Sequence, residues 1–252
     1  MTAPSTAELK EELGRLATSF RLPTISKELA PRLLDAGHED ALTLVHEVFV
    51  AEADDRLERR VERLRQQSRL PHGKTFDTLD DKRLPRPLAG KLQKLRTGDF
   101  LDNAINVLAF GLPGTGKTHA AAAVGHALVA QGHRVLFTPA YKLVQDLLAA
   151  KRDLALPKAL RKLDAYELLI LDDIGYVQQD ADEIEVLFTL MAERYERRSM
   201  LITSNLVFSE WDQIFKNPMT TAAAVDRLVH HSVILEFDVD SFRTAKKRRA
   251  SK

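Results

Sequence analysis

The apolar positions change their period near residue 100, and that change divides the chain. Up to about residue 70 they recur at helical spacing. Leu9, Leu13, Leu16 and Phe20 fall at i, i+4, i+7 and i+11, and Ser5 and Glu8 before them have the spacing of a capping box. Leu22-Pro23-Thr24 breaks that stripe. A second helix is predicted from near Thr24, with Pro31 expected to kink or divide it, because proline has no N–H to donate. After the break at Gly37, a third helix is predicted from about Asp40 to Gln67, on the stripe Leu42, Val45, Phe49, Ala53, Leu57, Val61 and Leu64. Residues 1–70 therefore read as a small all-helical domain whose amphipathic helices pack on one another or on a partner. Residues 71–100 read as a linker. Pro71-His72-Gly73 ends the helical module, Phe76, Leu79 and Leu84 are anchor points, and a short helix at 88–96 stops at Gly98.

From Ala104 short apolar runs alternate with helical periods, the pattern of a parallel sheet covered by helices. Strands are predicted at 105–110, 134–138, 167–171, 200–204 and 233–237, each an apolar run as in strands buried on both faces. Helices are predicted at about 117–131, 140–151, 182–198 and 220–231. The fold class is α/β: a parallel five-stranded sheet between helices over residues 101–245, preceded by a small all-α domain and followed by a basic tail at 246–252.

The first of these strands runs into Gly111-Leu112-Pro113-Gly114-Thr115-Gly116-Lys117-Thr118, and an alanine-rich helix follows. This is the phosphate-binding loop pattern in its strand–loop–helix context. Its glycines let backbone N–H groups turn toward a phosphate chain, and the helix N-terminus adds the positive end of its dipole. Lys117 is the residue to reach the β- and γ-phosphates, and Thr118 the one to ligate Mg²⁺. His119 follows directly. The chain thus binds a nucleoside triphosphate with Mg²⁺.

Two more strands end in polar residues. Leu168 to Leu171 lead into Asp172 and Asp173, where Asp172 would hold the Mg²⁺ shell and Asp173 would orient or deprotonate the attacking water. Glutamate is more usual in the second role, and a shorter acid reaches less far, so hydrolysis is expected to be slow or assembly-dependent. Met200-Leu201-Ile202-Thr203-Ser204-Asn205 puts Asn205 at the ligand crevice of an open sheet, with Ser204 as the close alternative for positioning water. Arg227, in Asp226-Arg227-Leu228, has two readings: a finger to the γ-phosphate of a neighbouring subunit, or a surface ion pair. His230 and His231 point about 100° apart on a helix and read as its C-terminal residues, not as a chelating pair.

Composition narrows the partners. Thirty-seven basic and 36 acidic residues give a formal net charge of +1, so a nucleic-acid surface has to come from local clustering. The third helix supplies one, with Arg56, Arg59, Arg60 and Arg63, although Glu52–Arg56 and Asp55–Arg59 have the i, i+4 spacing of a solvated, paired face. No cysteine is present, which excludes disulfides and thiolate metal sites. The first ten residues lack the apolar core of a signal peptide, and no apolar run approaches membrane-spanning length, so a soluble cytoplasmic protein is expected.

Several stretches carry a resemblance: Gly98-Asp99-Phe100-Leu101, Gly111 to His119, Leu171-Asp172-Asp173-Ile174-Gly175, Arg194-Tyr195-Glu196-Arg197-Arg198-Ser199, Ser204-Asn205 with Phe208-Ser209-Glu210-Trp211, and Asp226-Arg227-Leu228-Val229-His230-His231. With them the chain resembles the AAA+ ATPases of the initiator and helicase-loader branch, and within it the IstB-like ATP-binding proteins of insertion-sequence transposition. The match covers about 70–245. The resemblance implies an ATPase that forms ATP-dependent homo-oligomers on duplex DNA and assists an IstA-like transposase in target selection and strand transfer. It implies that Arg227 is an arginine finger supplied in trans, and that Arg243, in Asp240-Ser241-Phe242-Arg243, lies near the nucleotide or the subunit boundary. It also implies a core without the C-terminal helical lid usual in AAA+ proteins. Two departures stand out: Leu112 occupies a position where proline is common, and Pro31 interrupts the helical domain. The rival readings are a replicative helicase loader with nearly the same core and, from another class, a small-molecule P-loop kinase. The kinase would need an acceptor pocket and an arginine-bearing lid, and neither is visible.

Overall fold

A computed structural model of the 252-residue chain describes residues 4–176, 180–206, 210–211, 222, 226–229, 232–239 and 241–242. It divides into two compact units, Met1–Glu62 and Arg63–Lys252.

The first unit is helical: α1 (Thr6–Ser19), α2 (Pro23–Asp35) and the greater part of α3 (Glu39–Ser68). The capping box is formed, with the Ser5 backbone N–H donating to Glu8 Oε2 at 2.7 Å and the Glu8 N–H to Ser5 Oγ at 3.4 Å. The Ser5 backbone N–H, and after it the Ser5 hydroxyl donating to Glu8 Oε2 at 2.8 Å, hold the Glu8 carboxyl below its ordinary range. Leu9, Leu13, Ala30 and Leu42 form the centre, with Leu33, Leu34, Val45 and Phe49 around them. Pro31 does not divide α2, which runs unbroken from Pro23 to Asp35. The carbonyl that loses its intrahelical donor is that of Lys27, an exposed residue where water can replace the missing N–H.

The second unit is built on a five-stranded parallel sheet in the order β2-β3-β4-β1-β5. The strands are β1 (Asn106–Gly111), β2 (Val135–Pro139), β3 (Leu168–Asp172), β4 (Ser199–Ser204) and β5 (Ser232–Phe237). Alternation along the strands feeds two apolar layers. Leu108, Phe110, Leu169, Leu171, Met200 and Ile202 face α6 (Ala140–Arg152) and α8 (Ala181–Arg194). Val107, Ala109, Leu168, Ile170 and Leu201 face α4 (Arg86–Leu95) and α5 (Lys117–Ala130). At the β5 edge Lys91 of α4 donates to the Ile234 carbonyl at 2.8 Å.

Two elements differ from expectation. Residues 152–166, to which the sequence pattern assigned no element, include a helix, α7 (Leu156–Asp164), which starts with Pro157 in its first turn and packs Leu156, Leu160 and Leu163 inward. The helix expected at 182–198 ends at Arg194, because Tyr195 leaves helical geometry and Glu196 is left-handed at φ 55°. Of the helix expected at 220–231, residues 222 and 226–229 are helical, and His230 and His231 lie outside the described residues. Among the described residues no helix is long and apolar enough to cross a membrane.

Candidate nucleotide site

Sheet order brings the predicted residues together. β4 lies between β3 and β1, so the loops after these three strands open side by side at their carboxyl ends. The loop after β1 is shaped by glycine for steric reasons. A Cβ at Gly111 would come within 2.6 Å of the Phe237 carbonyl oxygen, and Gly116 takes φ 102° as the residue that caps α5. Thr115 tightens the turn by donating to the Leu112 carbonyl at 2.8 Å.

Lys117 is 6% exposed. Its Nζ donates to the carbonyls of Gly111 at 2.6 Å and Leu112 at 3.0 Å, and to Asn205 Oδ1 at 2.7 Å. The Asn205 amide in turn donates to Asp173 Oδ1 at 3.0 Å. One line of polar contacts therefore joins the loop after β1, the end of β4 and the end of β3. Asp173 is held in the left-handed region at φ 63°, a conformation that costs a non-glycine residue about 1–2 kcal/mol. Its N–H donates to Thr203 Oγ1 at 2.8 Å, and that hydroxyl donates to Asp172 Oδ1 at 2.8 Å. Thr203 thus sets the two acids relative to each other. Ser204, the alternative to Asn205, is fully buried and exchanges hydrogen bonds with Leu206, so Asn205 is the one that faces the cleft.

Between these residues lies a cleft of about 250 Å³, walled by Pro113, Gly114, Gly116, Lys117 and Thr118 on one side and by Asp173, Thr203 and Asn205 on the other. Leu112 is 72% exposed and does not line it. His119, Lys74 and Phe242 complete the wall. His119 Nε2 lies 3.0 Å from Thr78 Oγ1 and 3.1 Å from the Thr75 carbonyl, which ties the start of α5 to the turn Phe76–Thr78. Thr203, Lys74 and Phe242 were not singled out from the sequence, and Arg243 lies outside the described residues.

Residues 23–250 match the family model of the IstB-like ATP-binding proteins. The chain belongs to that family. It is 43% identical over 235 residues to a protein of Sinorhizobium fredii named for insertion-sequence ATP binding, covering 92% of this chain and 78% of that one. It is 37% identical over 206 residues to the corresponding protein of insertion sequence IS21 from Pseudomonas aeruginosa, covering 79% and 75%. Among solved structures, AMPPCP-bound DnaA from Aquifex aeolicus superposes with a TM-score of 0.56 at 18% identity over 73% of this chain and 56% of that one. The DnaC helicase loader gives 0.53 at 18% identity over 61% and 89%. These likenesses show the fold, that of an AAA+ P-loop core.

Two segments that carry the IstB-like signature have structural explanations. Trp211 is fully buried, packs edge-on to Phe110 at 6.1 Å and donates from Nε1 to the Leu206 carbonyl at 3.3 Å, so it anchors the chain after β4 against β1. Phe208 and Ser209 lie outside the described residues. Arg194 is buried and donates to the carbonyls of Leu163, Tyr166 and Ser199 at 2.9–3.0 Å. Burial pushes its pKa down to about 10, which leaves it charged at neutral pH.

Arg227 is not brought to this cleft. Its guanidinium lies over the Phe188 ring, 4.5 Å from the centroid, and Nη1 is buried with no hydrogen-bond partner among the described residues. Asn106, buried at the start of β1, accepts from the Met200 N–H at 2.9 Å and donates to the Leu228 carbonyl at 3.4 Å, linking the segment beside Arg227 to the sheet. On α3 the side chains of Arg56, Arg59, Arg60 and Arg63 are exposed. Arg56 pairs with Glu52 and lies 4.3 Å over the Phe20 ring, and Arg59 approaches the same Glu52 carboxylate at 3.7 Å.

Proposed function

We propose that this protein is an AAA+ ATPase that assembles on duplex DNA in an ATP-dependent way and assists the transposase of its insertion sequence. The observation that carries the ATPase reading is the line Lys117–Asn205–Asp173 across the floor of a glycine-walled cleft. A phosphate chain fits there because Gly114, Gly116, Lys117 and Thr118 line the space, α5 begins at Lys117 on its wall, and no side chain of Gly114 or Gly116 obstructs it.

Thr118 and Asp172 are the residues to hold Mg²⁺, which supplies charge neutralisation between phosphates. Among the described residues no group of three carboxylate or imidazole side chains could hold a metal alone. Lys117 contacts the β- and γ-phosphates. Asp173 orients water and accepts its proton as the oxygen attacks the γ-phosphorus, and the bond to the β-γ bridging oxygen breaks to leave ADP and phosphate. Asn205, bonded to both Lys117 and Asp173, positions that water. Arg227, which does not line its own cleft and whose Nη1 has no partner among the described residues, serves the γ-phosphate of a neighbouring subunit. Arg243 serves the nucleotide or the subunit boundary. Binding of DNA or of the transposase falls to the helical region at 1–70 and catalysis to the core at 101–245. The transposition role rests on the family and on the insertion-sequence names of its members.

Sedimentation velocity with random-sequence duplex or single-stranded DNA, each with ATP or ADP, tests the assembly. A large complex is expected only with ATP and duplex. A small species throughout, or a preference for single strands, would overturn the reading in favour of a helicase loader.

A further inference from the structure

The polar lining of the cleft, Lys117, Asp173, Thr203 and Asn205, suits phosphate and water, and Gly114, Gly116 and Thr118 line it from the loop. The rest of the lining, Pro113, Lys74, His119 and Phe242, comes from three separate segments of the chain. Phe242 is the aromatic group among them, and it is held through its backbone and by one cation over its ring. Its N–H donates to the Gly114 carbonyl at 2.9 Å, and Arg83 lies against its ring with Cζ 4.1 Å from the centroid. The ring passes so close to the loop that a Cβ on Gly116 would sit 3.5 Å from its Cε2.

We propose that Phe242 is the residue that receives the nucleobase, stacking on it at the mouth of the cleft, with Arg83 and the Gly114 carbonyl as the groups that position the ring. This rests on the ATPase reading above. Every base has a π-face, so an aromatic platform supplies affinity for a nucleotide over a bare triphosphate rather than a choice among bases. His119 has a different part. Its Nε2 is engaged by Thr78 and Thr75, so it fixes the loop that carries Lys74 at the cleft rim.

Calorimetric titration of the full chain with ATP and with inorganic tripolyphosphate, both with Mg²⁺, tests the assignment. Phe242→Ala should weaken ATP about five- to a hundredfold, the range of one base–aromatic stack, and leave tripolyphosphate within about twofold. Phe242→Tyr should keep wild-type affinity for both. An equal loss for the two ligands in Phe242→Ala would overturn the proposal, since it would make the ring a support of the phosphate loop. Unchanged ATP affinity in that variant would overturn it too, as would a wild-type protein that binds ATP no more tightly than tripolyphosphate. Wild-type protein that binds neither ligand would remove the ATPase reading itself, and this inference with it.

Discussion

Thr203 uses one hydroxyl twice, donating to Asp172 and accepting from the Asp173 N–H. Asp173 sits in a left-handed conformation that needs such support. Thr203→Val should therefore free the backbone at Asp173 and misplace its carboxylate without touching the phosphate cradle. The expected result is a kcat lowered on the order of ten- to a hundredfold with KM for ATP nearly unchanged, read from steady-state hydrolysis. A proportionate loss of ATP affinity would show instead that the hydroxyl serves binding. At this scale the sequence revealed the residues whose chemistry stands out: Lys117 and Thr118 in a fixed pattern, and the acids and Asn205 at the ends of apolar runs. Thr203 gave no such sign. A threonine inside a strand has high β propensity in its own right, and only the pairing of β3 with β4 shows that its hydroxyl meets the Asp172 carboxylate and the Asp173 N–H.

Among the elements, α7, α8 and the starts of β3 and β4 meet at one buried side chain. Arg194 supplies donors to the carbonyls of Leu163, Tyr166 and Ser199, of which Leu163 and Ser199 are buried residues and Tyr166 is half-buried. Arg194→Met preserves much of the volume and removes every donor. It should lower unfolding stability by about 3 kcal/mol in urea titrations, the scale of leaving several buried acceptors unpaired. Stability within about 0.5 kcal/mol of wild type would mean that water reaches those carbonyls. Arg194 also explains where α8 stops, which its sequence did not reveal. The stretch Arg194 to Arg198 reads as continued helix by composition, and the break at Tyr195 follows from an arginine drawn inward by partners distant in sequence. Strands β1 to β4 were legible because each is an apolar run buried on both faces. The short helix α7 was missed although Pro157 and the spacing of Leu156, Leu160 and Leu163 were visible, because nine residues give a period little length in which to declare itself. Pro31 does not divide α2, because the orphaned carbonyl belongs to an exposed residue.

At the scale of the whole molecule, the balance of 37 basic against 36 acidic residues leaves little long-range attraction for DNA, so any affinity must come from local patches. Arg59, Arg60 and Arg63, exposed on α3, are the test of that face. If they contact phosphates, changing all three to alanine should weaken duplex binding about tenfold or more at low salt. It should also flatten the salt dependence by nearly one unit of slope for each phosphate that is no longer neutralised. Unchanged affinity and slope in a fluorescence-anisotropy titration would leave the face as a solvated one.

The order β2-β3-β4-β1-β5 also bears on how the molecule is made. β1 pairs only with β4 and β5, and both come later in the chain. During synthesis β2 and β3 can join as soon as they emerge, while Val107 and Leu108, fully buried in the finished sheet, have no strand beside them until Ser199 and beyond have left the ribosome. The phosphate loop at the end of β1 is translated early and completed late. In that interval the nascent chain carries an unpaired apolar strand whose proper neighbour must insert between two segments already made, which exposes it to wrong pairing and to chaperones in a way the finished fold conceals.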